Sequence, residues 1–505
     1  MGQGSSDLSL FTPGMSRFAP APLVMRAARR PHEPAIRGDG FSWSRRQLLS
    51  AVDTLAGGLA GAGVGAGDRV ASLLSDDVPA VVLFEAARRL GAMLVPLNRR
   101  SAALALREQL ESVAAGVLVY DRDHADLAEA SAPEGTRRAR IEALMAAAPC
   151  LDRPRLLDEI DLAAPAVVVF TSGTSGRPKG VLLTEGNLAA SAHAWSALLR
   201  PRASDRWLAC LPLFHVAGLA VVTRALRWGV ELEMQSRFDP GALSRALDSG
   251  VSHVSLVPSQ LAALLDVRDG RAAPASLRAV LLGGGPVPAD LLERAAAGGY
   301  PVLTTYGMTE TGSGIAVGGA DAATRRDRGA ARALPGVQLR IDASGSADGS
   351  GEILVRGAMV FAGYVDDPAA SAEKLRDGWL HTGDVGSLDA AGLLRVIGRL
   401  DELIISGGEN VAPAVVEAVL TSHPAVAEAA VSGIADARWG AVPAAAIVLH
   451  PGAAVTDEEL LRHCRARLAG YELPVRIVRL EALPRNELGK VVRRELHALL
   501  ERERA

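Results

Sequence analysis

Apolar residues recur along this chain with two periods, and the two periods alternate. RQLLSAVDTLAGGLAGAG, Arg46 to Gly63, sets them at helical spacing and closes in glycines, which predicts a helix with a C-terminal stop. RVASLLS, Arg69 to Ser75, is a short apolar run after the turn GAGD and predicts a strand. VPAVVLFEAARRLGA then predicts a helix, and MLVPLN a strand. The pattern returns at AVVVF (Ala166 to Phe170), HVSLV (His253 to Val257) and AVLLGGG (Ala279 to Gly285), all predicted strands. QLAALLDV and PADLLERAAAG are the helices expected after the last two. Strands alternating with helices imply a parallel sheet with helices on its faces.

The pattern changes after Val337. QLRID, GEILVRG and LLRVIGR are short alternating strands, and ASGSADGSG (Ala343 to Gly351) between the first two predicts a hairpin turn. After Arg399 a new α+β pattern begins. VVEAVLTSH, EELLRHCRARLA and VRRELHALLERER predict helices, and AVAEAAVSGI and PAAAIVL predict strands. The expected architecture is therefore α/β. A large N-terminal domain of stacked α/β sheets spans 1–399 and includes a β-rich subdomain over about 337–399. A small α+β C-terminal domain spans 400–505.

Composition narrows the function classes. Lys plus Arg is 54 against 57 for Asp plus Glu, and this net charge of −3 argues against a dedicated nucleic-acid binder. Three cysteines in 505 residues exclude a disulfide scaffold and a CxxC metal site, and fit a reducing, cytoplasmic setting. The longest uncharged apolar stretch, Trp207 to Thr223, contains Pro212 and His215. It reads as a buried strand–loop–helix, so no membrane span is expected. MGQGSSDLSLF has no basic segment leading into an apolar core, so no secretory signal is expected.

The most informative segment is VVVFTSGTSGRPKGVLLTEGNL, Val167 to Leu188. A buried strand ends at Phe170, and TSGTSGRPKG follows. Its glycines let the backbone come close to a ligand. Backbone N–H groups and hydroxyls can then surround phosphate oxygens, with Lys179 adding charge. This is not a Walker A loop, because Pro178 precedes the lysine and Gly180 follows it.

This loop resembles the phosphate loop of the adenylate-forming superfamily, which holds acyl-CoA synthetases, peptide-synthetase adenylation domains and firefly-type luciferases. Further segments resemble that superfamily in the same order. They are YGMTETG (Tyr306 to Gly312), GWLHTGD (Gly378 to Asp384), GRLDELIISGGENVAP (Gly398 to Pro413) and PRNELGK (Pro484 to Lys490). The resemblance implies a two-step reaction with ATP, Mg²⁺ and coenzyme A. A carboxylate attacks the α-phosphate to give an acyl-adenylate and pyrophosphate, and a thiol then attacks the adenylate.

Residue roles follow from the same resemblance. Thr171, Ser172, Gly173, Thr174, Ser175 and Lys179 surround the β- and γ-phosphates. Glu310 coordinates Mg²⁺, Thr309 donates to the α-phosphate, and Tyr306 packs on adenine. Gly283, Gly284 and Gly285 line the nucleotide and acyl channel, with Met308 beside the acyl group. Asp384 accepts the ribose hydroxyls, and Arg399 reaches the ribose or phosphate. Lys490 is the catalytic cation that bridges carboxylate and α-phosphate. Asp401 is the hinge of a mobile C-terminal domain, whose second orientation brings Gly407 and Gly408 to the thiol tunnel. A homodimer is likewise implied by resemblance alone.

SLVPSQLAALL, VLLGGGPVPADLL and LPRNELGKVVRREL most resemble one subgroup, the o-succinylbenzoate–CoA ligases of menaquinone biosynthesis. That substrate has a second carboxylate, so a cation is expected near the acyl pocket. His215 in PLFHVAG and Ser259 are pocket candidates, and Arg224 is the candidate cation. Arg224 interrupts an apolar run, where an unpaired charge is costly. It follows His215 by nine positions, which on a straight helix is the opposite face. The helix is expected to start after Gly218, so this offset leaves the role of Arg224 open. Gly285, Ala412 and Leu488 depart from the usual pattern. Two other readings stay open: a ligase for another small, dicarboxylic or aromatic acid, and an enzyme that loads a carrier protein.

Overall fold

The computed structural model describes residues 16–38, 40–146, 155–171, 178–327, 329–344, 349–406, 409–436, 438–485 and 491–502. They fall into two compact units. One lies within Met1–Leu339 and Val355–Leu380, the other within Arg340–Leu354 and His381–Ala505.

The first unit is α/β. Its seven-stranded sheet runs in the order Gly363–Tyr364, Lys179–Thr184, Pro165–Thr171, Met93–Pro96, Arg69–Leu73, Val117–Tyr120, Arg137–Arg140. The strands from Pro165–Thr171 to Arg137–Arg140 are parallel, while Lys179–Thr184 and Gly363–Tyr364 add antiparallel at one edge. A second sheet takes Ser313–Gly318, Val302–Met308, Ala279–Leu282, His253–Leu256, Arg206–Ala209 and Glu231–Met234 in that order. Its interior pairs are parallel, with helices in the crossovers.

The sequence explains these elements. Val167, Val168 and Val169 lie in a strand with Val181 and Leu183 opposite, all buried, so a continuous β-branched run sits where both sheet faces are covered. The helix Arg45–Gly61 buries Leu48, Val52, Leu55, Ala56 and Leu59, a stripe at helical spacing, and Ser44 caps it in a capping box with Gln47.

Helices Glu185–Leu199 and Val216–Trp228 meet at a buried charge cluster. Arg88 donates to Glu185 at 2.5 and 2.6 Å and to Glu85 at 2.5 Å, and Arg227 donates to Glu185 at 2.9 Å. Two arginines thus face two glutamates with no surplus charge, which makes their burial tolerable.

The second unit holds a five-stranded sheet in the order Glu409–Val411, Ile404–Ser406, Gly440–Leu449, Val426–Asp436, with Arg476–Arg479 pairing Gly440–Leu449. Helices Pro413–Thr421 and Asp457–Arg465 supply Val416, Leu420, Leu460 and Cys464 to one core, and Arg493–Arg502 supplies Leu496 and Leu500 to another. The strand Leu393–Arg399 belongs to this same unit. The hairpin turn expected within Ala343 to Gly351 falls partly outside the described residues, at 345–348.

Among the described residues no helix is long and apolar enough to cross a membrane. Trp207 to Thr223 is a strand, a loop and part of the helix Val216–Trp228.

Candidate active site

In the first unit the antiparallel pairing sets Lys179 opposite Thr171, at the ends of their strands that the glycine loop joins. Ser172, Gly173, Thr174 and Ser175 lie outside the described residues. Of the glycine loop, Thr171, Pro178, Lys179 and Gly180 are described. The Lys179 ammonium lies 5.2 Å from the centroid of the Tyr364 ring. That is cation–π range, worth ~0.5–2 kcal/mol according to how dry the site is.

Tyr364 also connects to the second sheet. Its hydroxyl donates to Glu310 Oε1 at 2.8 Å. Glu310 sits in the short turn Thr309–Thr311 that follows the strand Val302–Met308, so Tyr306, Met308, Thr309 and Glu310 come from one continuous segment. Thr311 fixes the turn. Its buried side-chain oxygen accepts the Met308 N–H at 3.0 Å, and the hydroxyl lies 2.9 and 2.8 Å from the Met308 and Ser313 carbonyls. Gly307 lets the hairpin bulge just before it, because a β-carbon there would lie 2.2 Å from the Ser313 carbonyl oxygen.

The structure thus brings Lys179 and Glu310 together through a residue that sequence reasoning missed. The available signal was scarcity: Tyr364 is one of five tyrosines in the chain.

Gly283, Gly284 and Gly285 follow the strand Ala279–Leu282. The Gly283 N–H donates to the Leu256 carbonyl at 3.2 Å, which ties this turn to the end of the neighbouring strand. Ser259 is exposed in the first turn of the next helix, Pro258–Arg268.

His215 occupies the N-cap position of the helix Val216–Trp228, with its ring 4.5 Å from that of Phe214. The helix therefore starts before Gly218, which corrects the expectation that it starts after it. Gly218 is inside the first turn for a packing reason, since a β-carbon would meet the Pro212 carbonyl oxygen at 2.3 Å. Asp76 holds the preceding loop. It accepts the Leu213 N–H at 2.7 Å and Arg99 at 2.5 Å.

Arg224, on the same helix, is 2% exposed. Its Nη2 donates to Ser191 Oγ at 3.2 Å, and its guanidinium stacks 4.7 Å from the Trp195 ring. Ser191 in turn donates to the Gly312 carbonyl at 3.2 Å, and Trp195 Nε1 to that of Gly314 at 3.0 Å. Arg224 therefore stands one side chain away from the backbone that follows Glu310. Among the described residues no carboxylate pairs with it, and its Nε is buried without a hydrogen-bond partner. Burial alone pushes its pKa down to about 9. Its hydrogen bond and its ring contact among the described residues are to Ser191 and Trp195, not to His215.

In the second unit Asp384 and Arg399 face each other across antiparallel strands, and Arg399 Nη1 donates to Asp384 Oδ1 at 2.8 Å. Burial works against the Arg399 cation, yet Asp384 and Asp401 together hold its pKa above the ordinary value. The Asp384 backbone is fixed through Thr382, whose side-chain oxygen accepts the Asp384 N–H at 3.0 Å and lies 2.7 Å from the Ile353 carbonyl. Gly407, Gly408 and Lys490 lie outside the described residues.

The donor set around Glu310 fits a cation that arrives with a nucleotide. Among the described residues no cluster of three or more His, Cys, Asp or Glu is arranged to hold a metal ion. Glu310 offers a single half-buried carboxylate beside the lysine of the glycine loop. Mg²⁺ commonly takes one or two carboxylates and completes its shell with phosphate oxygens and water.

Comparison with known proteins bears on this geometry. Residues 23–365 match the AMP-binding enzyme family, and residues 415–490 match the AMP-binding enzyme C-terminal domain. A 2-succinylbenzoate–CoA ligase of Bacillus cereus is 40% identical over 485 residues, covering 95% of this chain and 98% of the relative. The o-succinylbenzoate coenzyme A synthetase of Bacillus subtilis, in complex with its acyl-adenylate intermediate, superposes with a TM-score of 0.89 at 36% identity, covering 95% and 98% of the two chains. The same synthetase with ATP and magnesium ion gives 0.88 at 35%, covering 95% and 99%.

Proposed function

We propose that this chain, which belongs to the AMP-binding enzyme family, is an ATP-dependent acid–CoA ligase that converts 2-succinylbenzoate to 2-succinylbenzoyl-CoA. In the first step one carboxylate oxygen of the acid bonds to the α-phosphorus of ATP, and pyrophosphate leaves. In the second the thiolate sulfur of coenzyme A bonds to the acyl carbon, and AMP leaves. The relatives described above support the ligase chemistry. The observation that carries the substrate is Arg224, a buried guanidinium with no carboxylate partner among the described residues. A substrate with two carboxylates can send one to the reaction and the other to this cation.

The residues divide between binding and activation. Lys179 meets the outer phosphates, with Thr171 and the loop residues Ser172, Gly173, Thr174 and Ser175 around them. Glu310 holds Mg²⁺, which neutralises phosphate charge when bound. Thr309 donates to the α-phosphate as charge builds there. Tyr306 and Gly283 to Gly285 line the adenine and acyl channel, with Met308, His215 and Ser259 on the acyl side. Asp384, already aligned by Arg399, accepts the ribose hydroxyls. The roles of Lys490 as the cation of the first step, Asp401 as hinge, and Gly407 and Gly408 at the thiol rest on their sequence motifs.

A cytoplasmic place in menaquinone biosynthesis belongs to the same reading. It is supported by the two cysteines among the described residues, Cys210 and Cys464, both free and buried. A homodimer rests on resemblance alone, and sedimentation of the purified protein checks it.

The test is pyrophosphate release and thioester formation across a panel of acids with purified protein. 2-Succinylbenzoate gives the highest kcat/KM, and neither product forms without an added acid. If a monocarboxylate forms a CoA thioester while 2-succinylbenzoate forms none, the substrate assignment fails.

A further inference from the structure

We infer that Tyr364 is a positioning residue that holds the two charged arms of the nucleotide site apart and in register. This inference rests on the reading of Lys179 and Glu310 as nucleotide and magnesium groups. One side chain contacts both of them: its hydroxyl donates to Glu310 Oε1 at 2.8 Å, and its ring face lies 5.2 Å from the Lys179 ammonium. A lysine and a glutamate converging on one site attract each other. If they paired directly, each would have to be pulled off its partner before phosphate or metal could bind. The phenol placed between them gives each a weaker, neutral partner. The carboxylate keeps its second oxygen for a cation, and the ammonium keeps all three N–H donors for phosphate.

Tyr364 is itself held on several sides. It is buried, its N–H donates to Ser371 Oγ at 2.8 Å, and its ring meets Phe361 edge-on at 5.0 Å. Its backbone pairs with Val181, two residues from Lys179 on the same strand. The Phe361 N–H donates to the Glu310 carbonyl at 2.8 Å. The segment Phe361 to Tyr364 therefore touches both arms through its backbone as well as through the phenol. A tyrosine whose role was only to fill space would need neither the hydroxyl contact nor the approach of the lysine.

The two ends of the side chain make separable predictions. Tyr364→Phe keeps the ring and removes the donor to Glu310. Tyr364→Leu removes both. The probe is α,β-methylene-ATP, titrated calorimetrically with Mg²⁺ and with EDTA, so that the readout does not depend on turnover. Tyr364→Phe raises the half-saturating Mg²⁺ concentration about 3- to 10-fold, leaves affinity in EDTA within about 2-fold, and leaves KM for the carboxylic acid unchanged. Tyr364→Leu adds a further loss of about 5-fold or more in EDTA, where only the lysine arm reports. In a Glu310→Gln background the Mg²⁺ effect of Tyr364→Phe disappears. Wild-type Mg²⁺ dependence in Tyr364→Phe, or an equal loss toward acid and nucleotide, would overturn the inference while leaving the proposed function intact. Should Tyr364→Leu fail to fold, the Phe variant decides alone. A wild-type protein that does not bind the probe with Mg²⁺ would overturn both.

Discussion

Replacing Arg224 with methionine removes a buried cation while keeping a long, flexible side chain in its place. Burial alone lowers the Arg224 pKa from the ordinary arginine value to about 9. At about 1.4 kcal/mol for each tenfold change in proton affinity, the buried charge costs the ligand-free fold about 5 kcal/mol at neutral pH. The contact to Ser191 returns about 1.5–3 kcal/mol and the stacking on Trp195 about 2. Arg224→Met is therefore expected to leave the ligand-free protein as stable as wild type, or more stable by up to about 1.5 kcal/mol. The sign with pH follows. The unfolded arginine keeps its proton up to the ordinary arginine value, whereas the buried one releases it above about 9. Wild-type stability therefore rises with pH between those values, and the advantage of the variant is full below pH 9 and shrinks above it. Catalysis moves the other way. Losing one partner of a desolvated charge pair costs about 2–5 kcal/mol, so kcat/KM for 2-succinylbenzoate falls about 30- to 5,000-fold, with much less change for a benzoate-type monocarboxylate. Denaturant unfolding at pH 7 and pH 10, with kinetics on both acids, reads all of this. A variant destabilised by several kcal/mol that keeps its kcat/KM for the dicarboxylate would refute the reasoning and make Arg224 a structural residue.

Glu185→Gln removes the carboxylate that Arg88 and Arg227 share, and equilibrium unfolding should show a loss of about 3–5 kcal/mol, because two buried cations are left with Glu85 alone. His253 is buried between Ser252 and Trp207, and burial lowers its pKa to about 4, with Asp205 opposing that shift and Arg278 adding to it. The unfolded chain takes up that proton near pH 6.5 and the folded chain only near 4, so stability is constant above about pH 6.5 and falls as pH drops toward 4. His253→Phe should flatten that acid limb, as followed by thermal unfolding between pH 4 and 7. Lys490→Ala should slow adenylation by at least about 100-fold while thioester formation from preformed adenylate stays within about 5-fold, as read by separate half-reaction assays.

Elements with a strong period were open to sequence reading because burial writes that period into the chain. The helix Arg45–Gly61 and the strand Pro165–Thr171 are examples, one with apolar residues on a single face and the other apolar throughout. The start of the helix Val216–Trp228 was misplaced for an equally physical reason. Gly218 looks like a breaker in sequence, but it is there so that the first turn can approach the Pro212 carbonyl. The nine-residue offset from His215 left the direction of Arg224 open, and the guanidinium turns to Ser191 and Trp195. Tyr364 escaped notice because its role comes from pairing with Val181, far away in the chain, and no local period encodes such a register. Lys179 and Glu310 were identifiable from their motifs, but the side chain that joins them was not.

The most direct test of the account is a rapid-quench experiment with α-³²P-labelled ATP, Mg²⁺ and 2-succinylbenzoate, first without coenzyme A and then with it. Label should appear in an acyl-adenylate that accumulates to about one per enzyme and then converts to AMP and 2-succinylbenzoyl-CoA when the thiol is added. Formation of ADP and phosphate instead, or of AMP at a rate indifferent to the acid, would contradict the central claim.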